Sequence, residues 1–432
     1  MEKVLTALWD IPDVHQLSVY RKNGGYEIAK DVLSNWTPEK LIETVKASGL
    51  RGRGGAGFPT GLKWSFVPRQ STKPKYLCVN ADESEPGTAK DRYVLERTPH
   101  LLIEGTLIAA RALDCHHAFI YCRGEFYDQL EILRNAVAEA RKAGIVGKKA
   151  LGSSYDIEVT VHSGFGAYIC GEETGLIESL EGKKGQPRIK PPFPATSGLY
   201  NCPTVVNNVE TLAAVPWILR HGPDAYKKMG TEKSPGTKLV SISGHVNKPG
   251  TYEIPLGLPL SEFITGPQYG GGIWKGRQIK ACIPGGSSVP VLTAADVAKV
   301  NLDYESCAAN GTMLGSGGCI VMDETTDMVH ALRILGRFYA HESCGQCTPC
   351  RTGTSWAHRI LCRVDDGQGQ PGDIDQLLSI ANNMVGRTIC PLADALAMPI
   401  KSFLTKFRAE FEHKVKTGKP LPSPPPSREE AA

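Results

Sequence analysis

No run of about 18 consecutive apolar residues occurs in the 432-residue chain, which excludes a membrane-spanning helix. Neither sign of charge is in excess. The 49 Lys and Arg face 45 Asp and Glu, a balance that gives no reason to expect nucleic acid or a membrane surface as the main partner. The first residues carry Glu2, Asp10 and Asp13 and lack an apolar core of roughly 7–15 residues. Neither a secretory signal nor an Arg-rich transit peptide is therefore expected. Without export a disulfide framework is not expected either, so clustered members of the thirteen Cys read as metal ligands or redox groups. What the chain does have is apolar mass, 41% against 22% charged, enough for two to four domains with large cores. Its 46 Gly and 30 Pro make up about a sixth of the residues and imply many backbone-shaped loops.

The texture changes twice along the chain. The first 50 residues read as a helical prelude, with Thr37 as cap, Pro38 at the first helical position, and Leu41, Ile42 and Val45 on one face. Strand and helix then alternate: a strand Tyr76 to Asn80, a helix Pro99 to Leu113, a strand His117 to Cys122, a helix Tyr127 to Lys142, and a helix from Val209 to Leu219. This predicts an α/β domain with a mainly parallel sheet. Short strands at 239–244, 250–254 and 280–284, separated by Gly/Pro turns and one helix at 259–264, predict a small α+β module. From Thr325 the pattern is helical: Met328, Leu332, Leu335 and Tyr339 share a face, and helices follow at 377–384 and 392–415, with Pro399 expected to break or kink the last. The expected domains are 1–236, 237–322 and 323–417, with a disordered Pro-rich tail at 418–432.

Four constellations carry chemistry. Cys344, Cys347 and Cys350 form a C-x2-C-x2-C run, and Cys390 precedes Pro391 some forty residues later. Three thiolates at this spacing suit one cubane iron–sulfur cluster, with a fourth arriving from elsewhere. Tetrahedral zinc normally takes pairs of C-x2-C. Cys390 is preferred as the fourth ligand for its Pro, with Cys362 the other choice. Next, Arg51 to Pro59 is a glycine loop in which Gly52, Gly54 and Gly57 fit G-x-G-x-x-G, but the segment before it reads as helix, not strand. It is either a plain turn or a backbone cradle for a phosphate or flat ring, with Arg51, Arg53 and Lys63 adding positive charge. Phe58, Trp64 and Phe66 could stack on a base or simply be core, and core is favoured for Trp64. Third, Asn80, Asp82, Glu83 and Glu85 follow an apolar strand, where α/β proteins bind ligands; the alternative is an exposed acidic loop. Fourth, Gly164 to Thr174, Lys190 to Pro194 and Val206 to Thr211 offer small residues, paired Glu and the amides of Asn207 and Asn208. Cys78, Cys115, Cys122, Cys170 and Cys202 read as buried thiols, and the eleven His show no metal spacing.

Arg51–Trp64, Asn80–Gly87, Ile169–Thr174 and Glu342–Cys350 together resemble the NADH-oxidising flavoprotein subunits of respiratory complex I, known in bacteria as NADH-quinone oxidoreductase. The match spans about residues 30–415, with the motifs in the family's order. The resemblance implies an α/β FMN- and NADH-binding domain, a ubiquitin-like domain of the soluble-ligand-binding type, and a helical bundle around one 4Fe-4S cluster. It assigns to FMN Gly52, Gly54, Gly55, Lys63, Asn80, Asp82, Ser84, Tyr168, Gly171, Glu172, Val206, Asn207, Asn208 and Thr211. It assigns to NADH Phe58, Phe66, Glu83, Glu85, Glu173, Lys190 and Phe193, with Glu83 and Glu173 near the nicotinamide and no residue needed as acid or base. The cluster ligands it implies are Cys344, Cys347, Cys350 and Cys390. It also implies a thioredoxin-like 2Fe-2S subunit and a larger iron–sulfur subunit as partners, and a peripheral position on the cytoplasmic face of the bacterial inner membrane. Two other readings stand beside it: a diaphorase subunit of an NAD-linked hydrogenase or formate dehydrogenase, and a non-enzymatic scaffold with structural zinc.

Overall fold

The computed structural model describes residues 2–422. The chain divides into two compact units. One comprises Met1–Ser84, Ala89–Leu239 and Glu253–Gly257, the other Glu85–Thr88, Val240–Tyr252 and Leu258–Ala432.

Unit one begins with helices Leu17–Lys22, Glu27–Asn35 and Pro38–Ser48. Thr37 caps the third, its hydroxyl accepting the Lys40 N–H at 3.3 Å with Pro38 in the first turn. Four strands form a parallel sheet: β1 (Tyr76–Ala81), β2 (His117–Cys122), β3 (Glu158–Ser163) and β4 (Thr204–Asn208), in the order β3-β2-β1-β4. The apolar runs of β1 and β2 are mostly buried, as expected of strands covered on both faces. Helix Pro99–Leu113 is buried on nearly every side and packs against helix Val209–His221. A Cβ at Gly105 would sit 2.0 Å from the Leu212 carbonyl oxygen, so only glycine permits this crossing. The chain runs from β1 outward through β2 to β3, then returns to the other side of β1 as β4. That reversal makes a topological switch point between β1 and β4, and ligands of open α/β sheets bind outside the carboxyl ends of strands at such a point.

Unit two holds most of a five-stranded mixed sheet, built from β5 (Thr237–Gly244), β6 (Gly250–Pro255), β7 (Ile279–Ile283), β8 (Leu292–Thr293) and β9 (Gly318–Asp323) in the order β6-β5-β9-β7-β8. β5 and β9 are parallel, β7 and β9 antiparallel. Helices Met328–Glu342, Thr348–Asp365, Asp373–Met384, Leu392–Lys406 and Arg408–Thr417 follow as a bundle around Leu332, Tyr339, Leu361, Leu377, Leu396 and Phe403. Among the described residues no helix is long and apolar enough to cross a membrane.

Several expectations need correction. The break expected at Pro399 falls at Phe407. Buried Pro399 sits within helix Leu392–Lys406, and the next helix starts at Arg408. Packing on the neighbouring helices outweighs the one hydrogen bond that proline removes. The helix expected from Leu377 starts at Asp373, whose carboxylate is held by Arg363. Helices Thr60–Ser65 and Asp91–Arg97 and strands β3, β4 and β9 were not anticipated. In β4 the polar Asn207 and Asn208 obscure an otherwise apolar strand. Arg53, expected to add charge to a cradle, is turned inward, 1% exposed, and donates to the Tyr226 hydroxyl and the Pro235 carbonyl. Of the tail reading, residues 423–432 lie outside the described residues.

Candidate functional site

The switch point gathers the polar residues of unit one. Asn80 and Asn208 are register partners at the ends of β1 and β4, one step beyond the Val79–Asn207 pair. The Asn80 amide donates to the Gly171 carbonyl at 2.8 Å, tying β1 to the Tyr168–Gly171 turn. Its Oδ1 accepts the Asp82 N–H, and the Ser84 hydroxyl donates to Asp82 Oδ1 at 3.0 Å. The Trp64 indole is 1% exposed and donates to Asn207 Oδ1, so Trp64 is core and also fixes that amide. The acidic loop is not a solvated one. Asp82 and Glu83 are buried, and Glu83 accepts the backbone N–H groups of Lys90 and Asp91 at 2.9 and 2.7 Å. Burial and the neighbouring Asp91 charge raise the Glu83 pKa against these N–H donors. Glu85 belongs to unit two, where it accepts from the Ser288 N–H at 2.7 Å and the Ser287 hydroxyl.

The glycine loop is pinned at both ends. Gly52 N–H donates to the Phe58 carbonyl, and the Arg51 guanidinium to the Gly57 carbonyl at 2.7 Å. Arg53 N–H donates to the Thr211 hydroxyl at 2.8 Å, joining the loop to helix Val209–His221. Behind it lies a buried charge network. Lys90 Nζ is 2.7 Å from Asp91 and 2.8 Å from Glu210, and Lys238 Nζ donates to the Arg53 carbonyl at 3.0 Å. Glu210 accepts the Leu239 N–H at 2.7 Å, and Asn208 donates to Asp91. Burial pushes the Glu210 pKa up, but Lys238, Lys90 and Arg53 outweigh it and hold the carboxyl below its usual value.

A second set of charges lines the approach. Lys63 Nζ lies 2.9 Å from Glu173, and Lys190 Nζ lies 2.9 Å from both Glu172 and Glu173. Glu172 also caps helix Glu173–Leu180 through the Thr174 and Gly175 N–H groups. Burial raises the Glu173 pKa, but the two ammonium groups overcome it and the carboxyl stays ionised. Phe58 and Phe66, 44% and 52% exposed, form a tilted pair with ring centroids 6.0 Å apart; Phe193 is 59% exposed. Exposed rings of this kind are available to a ligand rather than committed to the core. Val206 is buried, and Tyr168 and Gly171 are partly exposed on their turn.

In unit two, the helix Met328–Glu342 ends at Ser343. Cys344 and Gly345 make the turn, Cys347 is the N-cap of helix Thr348–Asp365, and Cys350 lies in its first turn. Cys390 directly precedes Pro391, the N-cap of helix Leu392–Lys406. Two helix N-termini thus carry three of the thiols, and burial raises the Cys350 pKa. The Ile389 N–H donates to Cys347 Sγ at 3.3 Å, which sets the Cys390 loop beside the C-x2-C-x2-C run, and Ser343 Oγ lies 3.2 Å from Cys350 Sγ. Cys362 is twelve residues past Cys350 on the same helix, about 18 Å along its axis, with His358 as neighbour.

The residues fit the groups that the sequence implies. At Gly54 a Cβ would come 3.2 Å from Asn208 Cβ, and among the described residues no acceptor takes the N–H of Gly54 or Gly55. A loop this closely laid on β4, offering backbone donors, suits a phosphate-bearing planar group such as a flavin nucleotide. The four thiols are soft donors, and two of them sit beside hydrogen-bond donors to sulfur, as an iron–sulfur cluster requires. Among the described residues no three His, Cys, Asp or Glu side chains converge on a position for one metal ion. Three Cys within seven residues is a cluster run, whereas tetrahedral zinc normally takes pairs of C-x2-C.

Sequence reasoning missed Lys90 and Lys238 and their link to Glu210. The available signal was a charge inside an apolar run: Lys238 in Thr237–Gly244 and Glu210 in Val209–Leu219. A charge there must be buried and therefore paired.

Comparisons with known proteins agree with this architecture. Residues 45–217 match the Nuo51 FMN-binding domain, 238–329 an SLBB domain, and 330–414 the NADH-ubiquinone oxidoreductase-F iron-sulfur binding region. The chain is 50% identical over 410 residues to the second of the NADH-quinone oxidoreductase F subunits of Rhizobium meliloti (strain 1021), covering 95% of this chain and 97% of the other. It is 52% identical to the NADH-quinone oxidoreductase F subunit of Streptomyces coelicolor (strain ATCC BAA-471 / A3(2) / M145), covering 98% and 93%. A crystal structure of NAD+-reducing [NiFe]-hydrogenase in the H2-reduced state superposes with a TM-score of 0.83 at 34% identity, over 98% of this chain and 68% of that one. On the strength of these matches, the chain belongs to the family of NADH-quinone oxidoreductase F subunits.

Proposed function

We propose that the switch-point site of unit one binds FMN and NADH, and that Cys344, Cys347, Cys350 and Cys390 hold the cluster. The chain is a NADH dehydrogenase subunit of complex I, with FMN and one 4Fe-4S cluster as cofactors and NADH as substrate. The observation that carries the residue-level reading is the Asn80–Asn208 register pair at the β1/β4 switch point, under a glycine loop whose Gly54 and Gly55 N–H groups have no acceptor among the described residues. When bound, FMN supplies the conversion of a two-electron hydride donor into a source of single electrons, which a cluster accepts one at a time.

The chain's own residues bind and orient. Gly52, Gly54, Gly55, Lys63 and Thr211 face the nucleotide end of the flavin, and Asn80, Asp82, Ser84, Val206, Asn207 and Asn208 its ribityl chain and ring. Tyr168, Gly171 and Glu172 close the remaining side. Phe58, Phe66 and Phe193 stack on the NADH base and exclude water. Glu83, Glu173 and Lys190 hold its ribose, amide and pyrophosphate groups, each a directional contact that fixes the nicotinamide for hydride transfer. No side chain need serve as acid or base in that transfer.

As a component of complex I the chain works with other subunits. The nearest are a thioredoxin-like 2Fe-2S subunit and a larger iron–sulfur subunit, and the site faces the bacterial cytoplasm, peripheral to the inner membrane. The test uses the full chain alone. With NADH it should reduce ferricyanide, a small one-electron acceptor, and give no inhibitor-sensitive reduction of a hydrophobic quinone. Inhibitor-sensitive quinone reduction by the isolated chain would refute the subunit reading.

A further inference from the structure

Five charged side chains lie wholly inside unit one: Arg53, Lys90 and Lys238 against Asp91 and Glu210, none more than 3% exposed. Burying such a set is expensive unless it serves some purpose besides stability, because well-packed apolar side chains often stabilise as much. Its members touch the segments around the switch point. Lys90 Nζ is 3.3 Å from Asn208 Oδ1, Asp91 accepts from the Asn208 amide, and Glu210 lies one residue from Thr211. Lys238, on β5, holds the glycine loop's backbone through the Arg53 carbonyl oxygen.

That single contact orients a donor. The Arg53–Gly54 peptide is trans, so its carbonyl and its N–H point to opposite sides of one plane. With the carbonyl drawn inward to Lys238, the Gly54 N–H is turned outward, and among the described residues nothing accepts it. The other Arg53 peptide is also fixed, its N–H held by the Thr211 hydroxyl. An ammonium on the carbonyl end polarises the peptide and makes its N–H a stronger donor.

We infer that Lys238 is a positioning residue for the flavin phosphate, holding the Arg53 carbonyl inward so that the Gly54 N–H meets the anion. The inference rests on the FMN reading of this site. Lys238 faces Glu210 and Asp91, which favour its charge, and Lys90 and Arg53, which oppose it. Burial, with those two cations, lowers its pKa to about 8. Its charge, and with it the preference for a phosphate, is therefore present near neutral pH and lost above about pH 8.

The test measures binding of FMN and of riboflavin, the same flavin without its phosphate, to the deflavinated full chain by fluorescence quenching. Lys238→Met should weaken FMN by about tenfold or more and leave riboflavin within about twofold. Lys238→Arg, which keeps the charge, should restore part of the preference. In the unsubstituted chain the FMN-over-riboflavin preference should fall between about pH 6.5 and about pH 9.5, with no such fall in Lys238→Met. Should Lys238→Met fail to fold, the pH series on the unsubstituted chain decides. Equal loss of both flavins in the variant, or a preference flat across that pH range, would overturn the role of Lys238. Absence of FMN binding by the unsubstituted chain would overturn instead the FMN reading beneath it.

Discussion

The two cofactor regions are built on opposite plans. In unit two, three thiols come from seven consecutive residues, and a fourth from a loop bonded to one of them. Two helix N-termini carry three of these thiols, and three of the four are only half-buried. In unit one, the site draws on five separated segments brought together by sheet topology, and its shape depends on charges 0–3% exposed behind it. A local site can lose its cofactor and leave the fold standing; a site held by a buried ion network loses stability when a charge is left without its partner. The contrast follows from desolvation: a charge kept out of water is stable only while its partners are present.

The largest expected effect separates the two regions outright. Cys347→Ser should abolish the cluster while FMN stays bound, so NADH bleaches the flavin and produces no reduced-cluster EPR signal. An undiminished signal would remove Cys347 from the ligand set. The counterpart in unit one is Glu210→Ala, which strands Lys90 and Lys238 without their shared carboxylate. It should destabilise the protein by about 3–5 kcal/mol in denaturant unfolding. A loss under about 1 kcal/mol would mean that the network is not what holds this region.

Most of what was legible from sequence divides along the same line. The C-x2-C-x2-C run announced its chemistry because cluster ligation is a matter of spacing. The helices at 99–113 and 127–142 and strand β2 were legible because their apolar periodicity is strong. β4 was not, since Asn207 and Asn208 end it with polar residues, and without β4 the switch point between β1 and β4 could not be derived. The residues proposed for the flavin came from the resemblance to a family rather than from topology. Lys238 and Glu210 stayed hidden because pairing across 28 residues leaves no local pattern. Pro399 does not break its helix, because packing of that helix outweighs proline's local preference.

Smaller effects sharpen the contrast. Glu173→Gln removes one charge from the pair of bridges to Lys63 and Lys190. Steady-state kinetics should show KM for NADH rising about tenfold, with FMN content less affected, because Lys190 keeps Glu172 as partner. Loss of flavin with unchanged KM would reassign Glu173. The smallest effect is an acid one in unit two. Burial pushes the Asp365 pKa up, but Lys414, His330 and Arg333 outweigh it and bring it to about 2. A carboxyl whose folded pKa lies below its unfolded value of about 4 stabilises the fold above that pH and ceases to as pH falls towards 2. Asp365→Asn should therefore flatten the stability profile between about pH 4 and about pH 2, with little change in its shape near neutrality. A profile that keeps its acid slope would place that linkage elsewhere.

The central claim is that one chain carries both a flavin site at the β1/β4 switch point and a cluster on the Cys344–Cys350 and Cys390 segments, and that NADH reduces both. An anaerobic NADH titration of the full chain tests it most directly, following flavin absorbance and the cluster's EPR signal in the same sample. The account predicts that the flavin bleaches and that the cluster signal appears in the unsubstituted chain, whereas Cys347→Ser keeps the bleaching alone. A chain that binds NADH with no flavin bleaching, or a cluster signal that persists in Cys347→Ser, would contradict it.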